Sequence, residues 1–329
     1  MNAASILVGS DEPGQSPSLP LVLVVAGSTA SGKTDLALRL AHIRPIEIIN
    51  GDSRAFYRGM DAGTAKPTVA ERAAVPHHLI DILPPDAPMS ITEFQALALA
   101  AIEAVLSREA LPVITGGSPQ YLNALVEGWQ VPPVPPNPQL RQELEREASL
   151  DGVEAVWQRL RAVDPVAAGR TGPNLRRIIR ALEVWDATGI PFSAQRASTP
   201  PAFRFLEVEL WWPREILYER IDRRVDAMVA SGLVEEVTAL LAAGYDPGLP
   251  AFSSIGYRQL VPAIREGADL ARAIERIKTD THRLVRHQQT WFRRNPRLHR
   301  IDMIQGEPLD TLIELLQAAS PATGSPESG

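Results

Sequence analysis

The chain has 329 residues, 33 Lys and Arg against 39 Asp and Glu for a net charge of −6, and no cysteine. The missing cysteines exclude disulfides and thiolate metal sites, and the length suits a core with an insertion or second lobe. The negative balance, taken alone, argues against a nucleic-acid partner, so the placement of the positive charge matters more than its sum.

Residues 1–20 lack a basic start and carry Asp11, Glu12, Pro13 and Gly14. They read as a disordered tail and not as a secretion signal. Leu21-Val22-Leu23-Val24-Val25 follows and reads as a fully buried strand. It leads into Gly27-Ser28-Thr29-Ala30-Ser31-Gly32-Lys33-Thr34, a glycine, four residues and then Gly-Lys-Thr. Glycines let backbone wrap an anion with several N–H groups aimed at it. The lysine adds positive charge, and the threonine hydroxyl is suited to ligate Mg²⁺. A helix from Thr34 to Ala41, with leucines at 36, 38 and 40, would turn its positive end to the bound phosphates.

Ile46-Glu47-Ile48-Ile49 reads as a second strand ending at Asn50-Gly51-Asp52-Ser53. Helical spacing over 92–108 precedes a third strand, Leu111-Pro112-Val113-Ile114-Thr115, which ends at Gly116-Gly117-Ser118. Short apolar strands alternating with helices predict an α/β fold with a P-loop NTPase-like parallel sheet. In such sheets ligands gather beyond the carboxyl ends of the strands, where the phosphate loop, Asp52 and Ser118 all lie.

Five prolines in the eight residues 131–138 make a stiff linker. The charged, helical pattern of 139–187 beyond it predicts an inserted all-helical subdomain. Phe205-Leu206-Glu207-Val208-Glu209-Leu210-Trp211 alternates and can rejoin the sheet, and the pattern from Arg214 onward is helical. The expected division is a first core part over 21–131, a helical insertion over 132–198, a second and mostly helical core part over 199–319, and disordered tails at 1–20 and 320–329. No stretch approaches the ~18 apolar residues of a membrane span, so the expectation is a soluble, cytoplasmic protein with no membrane partner.

Only three lysines occur, so nearly all positive charge is arginine, which forks onto phosphates and stacks on bases. Arg170, Arg176, Arg177 and Arg180 form one group. Arg276, Lys278, Arg283, Arg286, Arg293, Arg294 and Arg297 form another, with His282, His287 and Trp291 interleaved. Either group can equally be a solvated helix face. Asp52 can ligate Mg²⁺, act as general base, or only cap a turn. Ser118 and the neighbouring amides suit an anionic leaving group, or a plain turn. Arg220 and Arg224 share a helix face and can clamp phosphate oxygens. His77 and His78, adjacent, suit local packing better than one metal. The third strand carries no carboxylate at its end, which leans towards a transferase holding a phosphorylated donor and away from an NTP hydrolase. Kinase and other group transfer both stay open on these residues.

Beyond the phosphate loop, several runs resemble the tRNA dimethylallyltransferase (tRNA isopentenyltransferase) family. They are Asp52-Ser53-Arg54-Ala55-Phe56-Tyr57-Arg58-Gly59-Met60-Asp61-Ala62-Gly63-Thr64-Ala65-Lys66-Pro67, Pro76-His77-His78-Leu79-Ile80-Asp81, Gly116-Gly117-Ser118 with Tyr121, Arg180-Ala181-Leu182-Glu183-Val184, Ile255-Gly256-Tyr257-Arg258, and Gln288 with Thr290-Trp291-Phe292. The resemblance spans roughly residues 21–294.

The resemblance implies transfer of the dimethylallyl group of dimethylallyl diphosphate to N6 of adenosine 37 of tRNA, with Mg²⁺ required and diphosphate leaving. It implies that residues 27–34 hold the diphosphate, with Thr34 on the metal. Asp52 takes the proton of the attacking amine, and Ser118 and Arg224 contact the donor's diphosphate. It further places Asp52, Ser53, Arg54, Ala55, Ser118, Arg141, Arg176, Arg177, Ile178, Ile179, Arg180, Ser253, Ser254, Ile255, Gly256, Tyr257 and Arg258 near the tRNA anticodon stem-loop, in a bacterial-type enzyme expected to be a monomer. This chain departs from the family pattern at Ser28, Arg54-Ala55, Ser118, His282 and His287. An adenylate isopentenyltransferase, which would not need the helical insertion, a small-molecule or nucleotide kinase, and a non-catalytic RNA binder are the competing readings.

Overall fold

Strand β1 (Leu21–Gly27) is buried along nearly its whole length because helices cover both faces of the sheet that holds it. The computed structural model describes residues 19–195 and 197–320. The strands are β1, β2 (Ile46–Asn50), β3 (His77–His78), β4 (Leu111–Gly116), β5 (Trp129–Gln130), β6 (Ala197–Ser198), β7 (Arg204–Trp211) and β8 (His299–Asp302). Six of them form one parallel sheet in the order β3-β2-β4-β1-β7-β8. The helices are α1 (Lys33–Ala41), α2 (Val69–Ala74), α3 (Ile91–Leu106), α4 (Pro119–Glu127), α5 (Pro138–Asp151), α6 (Val153–Val163), α7 (Pro165–Thr171), α8 (Leu175–Thr188), α9 (Arg214–Ala230), α10 (Leu233–Ala242), α11 (Tyr257–Glu266), α12 (Leu270–Phe292) and α13 (Pro308–Ala319).

The period of two in a strand sorts side chains between the faces. Leu23, Val25, Val113, Val208 and Leu210 pack with Leu36 and Leu40 of α1 and Leu312 and Leu316 of α13. Val22, Val24 and Ile114 pack on the other face with Phe94, Ala98 and Ile102 of α3, Leu122 and Leu125 of α4, and Phe292 of α12. A third apolar cluster joins Tyr57 and Met60 to α9, α10, α11 and α12. It roofs the carboxyl ends of the strands.

The four helices α5 to α8 form their own core around Leu144, Val156, Leu160, Ile178 and Leu182. The chain enters and leaves this unit through β5 and β6, which pair antiparallel. The helical pattern of 139–187 is cut where Gly152, the Asp164-Pro165 step and Gly172-Pro173 each break the backbone ladder. Asn137 caps the first helix, α5, and Asp164 and Asn174 cap the restarts at α7 and α8 with side-chain oxygens.

Two strands of the six-stranded sheet carry no pattern in the sequence. β3 is two residues long, and β8 buries only Ile301. Both are held by pairing to a neighbour, which local periodicity does not register. Residues 19, 20 and 320, at the inner edges of the expected tails, are among the described residues. Pro20 and Leu19 accept hydrogen bonds from the Arg204 backbone and side chain, and Ser320 caps α13. The rest of the predicted tails, 1–18 and 321–329, lies outside the described residues.

Candidate active site

The glycine-rich loop wraps as its residues dictate. Gly32 and Ala30 both have positive φ, 94° and 63°, and a Cβ on Gly27 would meet Ser31 Oγ at 2.8 Å. The loop ends at α1, whose first turn has no side-chain cap, so its N–H groups are left for an anion. Ser31 is fully buried and its hydroxyl has no partner among the described residues. A buried orphan hydroxyl of this kind is costly unless a ligand accepts its hydrogen bond. Lys33 Nζ donates to the carbonyls of Gly27 (3.0 Å) and Ser28 (2.9 Å). Burial pushes its ammonium down to about 8, with Asp52 opposing and Arg224 adding to that shift.

Residues far away in sequence hold the loop from outside. Arg224 of α9 donates to Thr29 Oγ1 (3.3 Å), and Arg220 donates to the Ala30 carbonyl (2.8 Å) while lying over the Trp212 ring. Trp212 Nε1 donates to the Ser31 carbonyl (2.9 Å). Burial lowers the pKa of both arginines. Trp212 and its role are missed by sequence reasoning; the signal was an indole placed directly after a strand end.

Asp52 lies at the end of β2 and is aimed by Asn50. The Asn50 side chain takes the Asp52 N–H (2.9 Å) and donates to the carbonyls of Asp52 (3.0 Å) and Leu79 (2.9 Å). Asp52 Oδ1 accepts from the Arg54 N–H (3.0 Å), so one oxygen closes a turn. Ser118, one strand over, lies 3.4 Å from Ser53 Oγ. The parallel pairing of β2 with β4 brings these two loops together.

The run from Gly59 to Pro67 is a scaffold. Glu236 of α10 accepts from three successive backbone N–H groups, Asp61 (2.6 Å), Ala62 (2.8 Å) and Gly63 (3.2 Å), and from the Tyr257 hydroxyl. A Cβ on Gly63 would sit 2.4 Å from the Tyr257 ring, so only glycine fits. Lys66 is buried against the Tyr57 carbonyl, Asp61 and Asp81.

One cleft of about 1330 Å³ collects residues 29–34, residues 52–55, Ser118 and Arg224 at its floor. Arg177 of α8, Ser253, Ser254, Ile255 and Arg258 stand at its sides. Arg176 is exposed beside Arg177 but is not part of the lining. Several of the residues expected to meet RNA have side chains engaged within the protein. Ile178 and Ile179 are buried in the helical unit's core, because the period of α8 turns them inward. Gly256 caps the start of α11 against Leu233 of α10, and Tyr257, the first residue of α11, is fully buried. Ser254 is buried with its hydroxyl on the Ala251 carbonyl. Ala55 is buried, though its backbone borders the cleft. Arg141 and Arg180 both reach Glu183, which is 1% exposed.

For a metal, the floor offers the Thr34 hydroxyl and the Asp52 carboxylate among its oxygens. Among the described residues no cluster of three His, Cys, Asp or Glu can hold an ion. A hard-oxygen set with few protein ligands fits Mg²⁺, which keeps water and takes phosphate oxygens from its substrate.

The model of the IPP transferase family matches residues 55–295. The tRNA dimethylallyltransferase of Roseiflexus castenholzii is 51% identical over 281 residues, covering 85% of this chain and 92% of that protein. That of Thermomicrobium roseum is 49% identical, covering 86% and 87%. The solved tRNA isopentenylpyrophosphate transferase of Bacillus halodurans aligns with a TM-score of 0.67 at 35% identity, over 91% of this chain and 95% of that one. A eukaryotic dimethylallyltransferase acting on tRNA aligns with a TM-score of 0.73 at 27% identity, over 86% and 74%.

Proposed function

The chain belongs to the IPP transferase family of tRNA dimethylallyltransferases, and we propose that it moves the dimethylallyl group of dimethylallyl diphosphate onto N6 of adenosine 37, beside the anticodon of a tRNA. One observation carries this reading: an anion loop and a strand-end carboxylate share a cleft whose side is an exposed arginine of a separate helical unit. A free nucleotide needs no such wall. A splayed loop base on a polyanion does.

The chain's own residues then divide the reaction. The amides at the start of α1, Ser31 Oγ and Lys33 take the donor's diphosphate. Thr34 would hold Mg²⁺, which when bound would supply positive charge to offset that of the leaving diphosphate. The N6–C1 bond forms as the C1–O bond to diphosphate breaks. Asp52 accepts the proton that N6 gives up, and Arg224 and Ser118 stabilise the negative charge growing on the departing oxygen. Arg176, Arg177 and Arg258 meet the anticodon stem-loop. Among the described residues no helix is long and apolar enough to cross a membrane, and the enzyme is proposed to work as a cytoplasmic monomer.

The test is incubation with dimethylallyl diphosphate and, in parallel, tRNA or AMP, followed by mass spectrometry of the nucleosides. Isopentenyladenosine at position 37 of tRNA is expected. Product on AMP alone, or γ-phosphate transfer from ATP without prenyl transfer, overturns the proposal.

A further inference from the structure

Among the described residues, Gln288 is the one side chain that bonds both loops of the cleft floor. It sits on α12, is 6% exposed, and faces the cleft. Its Oε1 accepts from the Thr29 N–H in the anion loop (3.0 Å), and its Nε2 donates to the Gly117 carbonyl (2.6 Å) in the turn that carries Ser118. The sequence separations are 259 and 171 residues, so no local pattern announces the bridge. Room for it is made by a glycine: a Cβ on Gly117 would meet Gln288 Nε2 at 2.8 Å. Gly117 has no positive φ, so this close approach, and not backbone conformation, is what asks for glycine here.

The neighbouring residue repeats the device from the other side. Gln289 Nε2 donates to the Trp212 carbonyl (3.3 Å), and Trp212 in turn holds the Ser31 carbonyl. The last turns of α12 therefore grip both shoulders of the anion loop. Of the two, Gln288 also reaches the Ser118 turn.

Resting on the reading of residues 27–34 as the diphosphate site, we propose that Gln288 is a positioning residue that fixes the spacing between the anion loop and Ser118, and so sets the rate of group transfer more than the binding of either substrate. It also withholds the Thr29 amide from the anion. A diphosphate bound only by the loop can gain that amide when Gln288 is removed, while the Ser118 hydroxyl loses its set position against the breaking bond. Ground-state anion binding and transfer rate should then part company, which general loosening of the fold does not produce. A misplacement of about 1 Å at a reacting centre costs on the order of 100-fold in rate.

The experiment compares wild type, Gln288→Ala, Gln288→Glu and Gly117→Ala. It measures the dissociation constant of inorganic pyrophosphate with Mg²⁺, the single-turnover rate on tRNA, the KM for tRNA and the melting temperature. For Gln288→Ala the single-turnover rate should fall about 10- to 100-fold, with pyrophosphate bound as tightly as in wild type or more tightly and the KM for tRNA within about twofold. Gln288→Glu keeps the acceptor for Thr29 but, ionised, cannot donate to Gly117 and adds negative charge beside the anion. It should lose both rate and pyrophosphate affinity, and regain part of both as the pH is lowered. Gly117→Ala, which crowds the bridge without removing it, should show a milder form of the Gln288→Ala split. An unchanged rate in Gln288→Ala overturns the proposal, as does a parallel loss of rate, pyrophosphate affinity and melting temperature. Failure of the wild-type protein to bind pyrophosphate at all overturns instead the reading of the loop, and this inference falls with it.

Discussion

The floor of the cleft and its helical side both depend on arginine, and they use it in opposite ways. At the floor, Arg220 and Arg224 are drawn out of water and pinned to loop oxygens, so their charge is concentrated on a small volume. In the helical unit, Arg141 and Arg180 converge on the buried Glu183, whose single negative charge offsets half of theirs. Arg176 and Arg177, one turn away, are exposed and take part in no ion pair among the described residues. A cation's place in the sequence does not tell which kind it is. A buried carboxylate within reach does.

The comparison breaks most sharply at the floor. Asp52→Asn keeps the size of the side chain and its turn, and removes only the proton acceptor. Its single-turnover rate should fall ~10²–10⁴-fold while tRNA binding stays intact. An unaltered rate would take Asp52 out of the base role. Glu183→Ala tests the other region. It strands the Asn137 N–H and two guanidinium groups that keep partial access to water, so a loss of about 2–3 kcal/mol in the unfolding free energy is expected. Pyrophosphate affinity should not move. Burial pushes the Glu183 carboxyl up, but Arg141 and the Asn137 N–H outweigh it and the net pKa is lowered. The stabilisation is thus present at neutral pH and is lost as pH falls through that lowered value. Denaturant titrations at two pH values check both points.

The floor was the more legible of the two in sequence. Buried strands announce themselves as apolar runs, the loop by its glycines and lysine, and Asp52 and Ser118 by their place after strands. Arg220 and Arg224 showed as a pair on one helix face. What stayed hidden is made by contacts across the chain: Trp212, the Gln288 bridge, and β3 and β8, which exist only through their neighbours. In the helical unit the existence of helices was plain, but the roles were not. Ile178 and Ile179 sit inside a run of arginines, and only the phase of α8 turns them inward. Glu183 reads as one more surface acid until Arg141 and Arg180 are seen to close on it. The run from Gly59 to Pro67 was recognisable as a motif, yet its physical meaning, an amide cradle for Glu236, needed the fold.

A smaller effect sharpens the floor's side of the comparison. Burial holds Lys33 at about 8, whereas a bound diphosphate favours its charged form. Below that value the free protein already carries the proton and pyrophosphate binds fully. Above it the proton must be taken up, so affinity should fall by about tenfold per pH unit. Calorimetry in buffers of different ionisation enthalpy should show uptake rising towards one proton. A proton count that stays at zero through this range would mean that Lys33 does not meet the anion.

The gentlest perturbation concerns Arg176 and Arg177. Each phosphate neutralised adds about −0.9 to the slope of log affinity against log salt on a duplex stem and about −0.7 on a single-stranded loop. If both residues contact the stem-loop, Arg176→Ala with Arg177→Ala should flatten the slope by roughly 1.4–1.8. The loss of affinity should be much larger at low salt than near physiological salt, because screening already weakens exposed charges there. Arg141→Ala with Arg180→Ala removes as many charges from the same unit, but both guanidinium groups are tied to the buried Glu183 and not free to meet phosphate. That pair should cost folding stability and leave the salt slope nearly unchanged. If the two double variants flatten the slope equally, the division between structural and RNA-facing arginines is wrong, and the whole of α8 acts as one diffuse positive face.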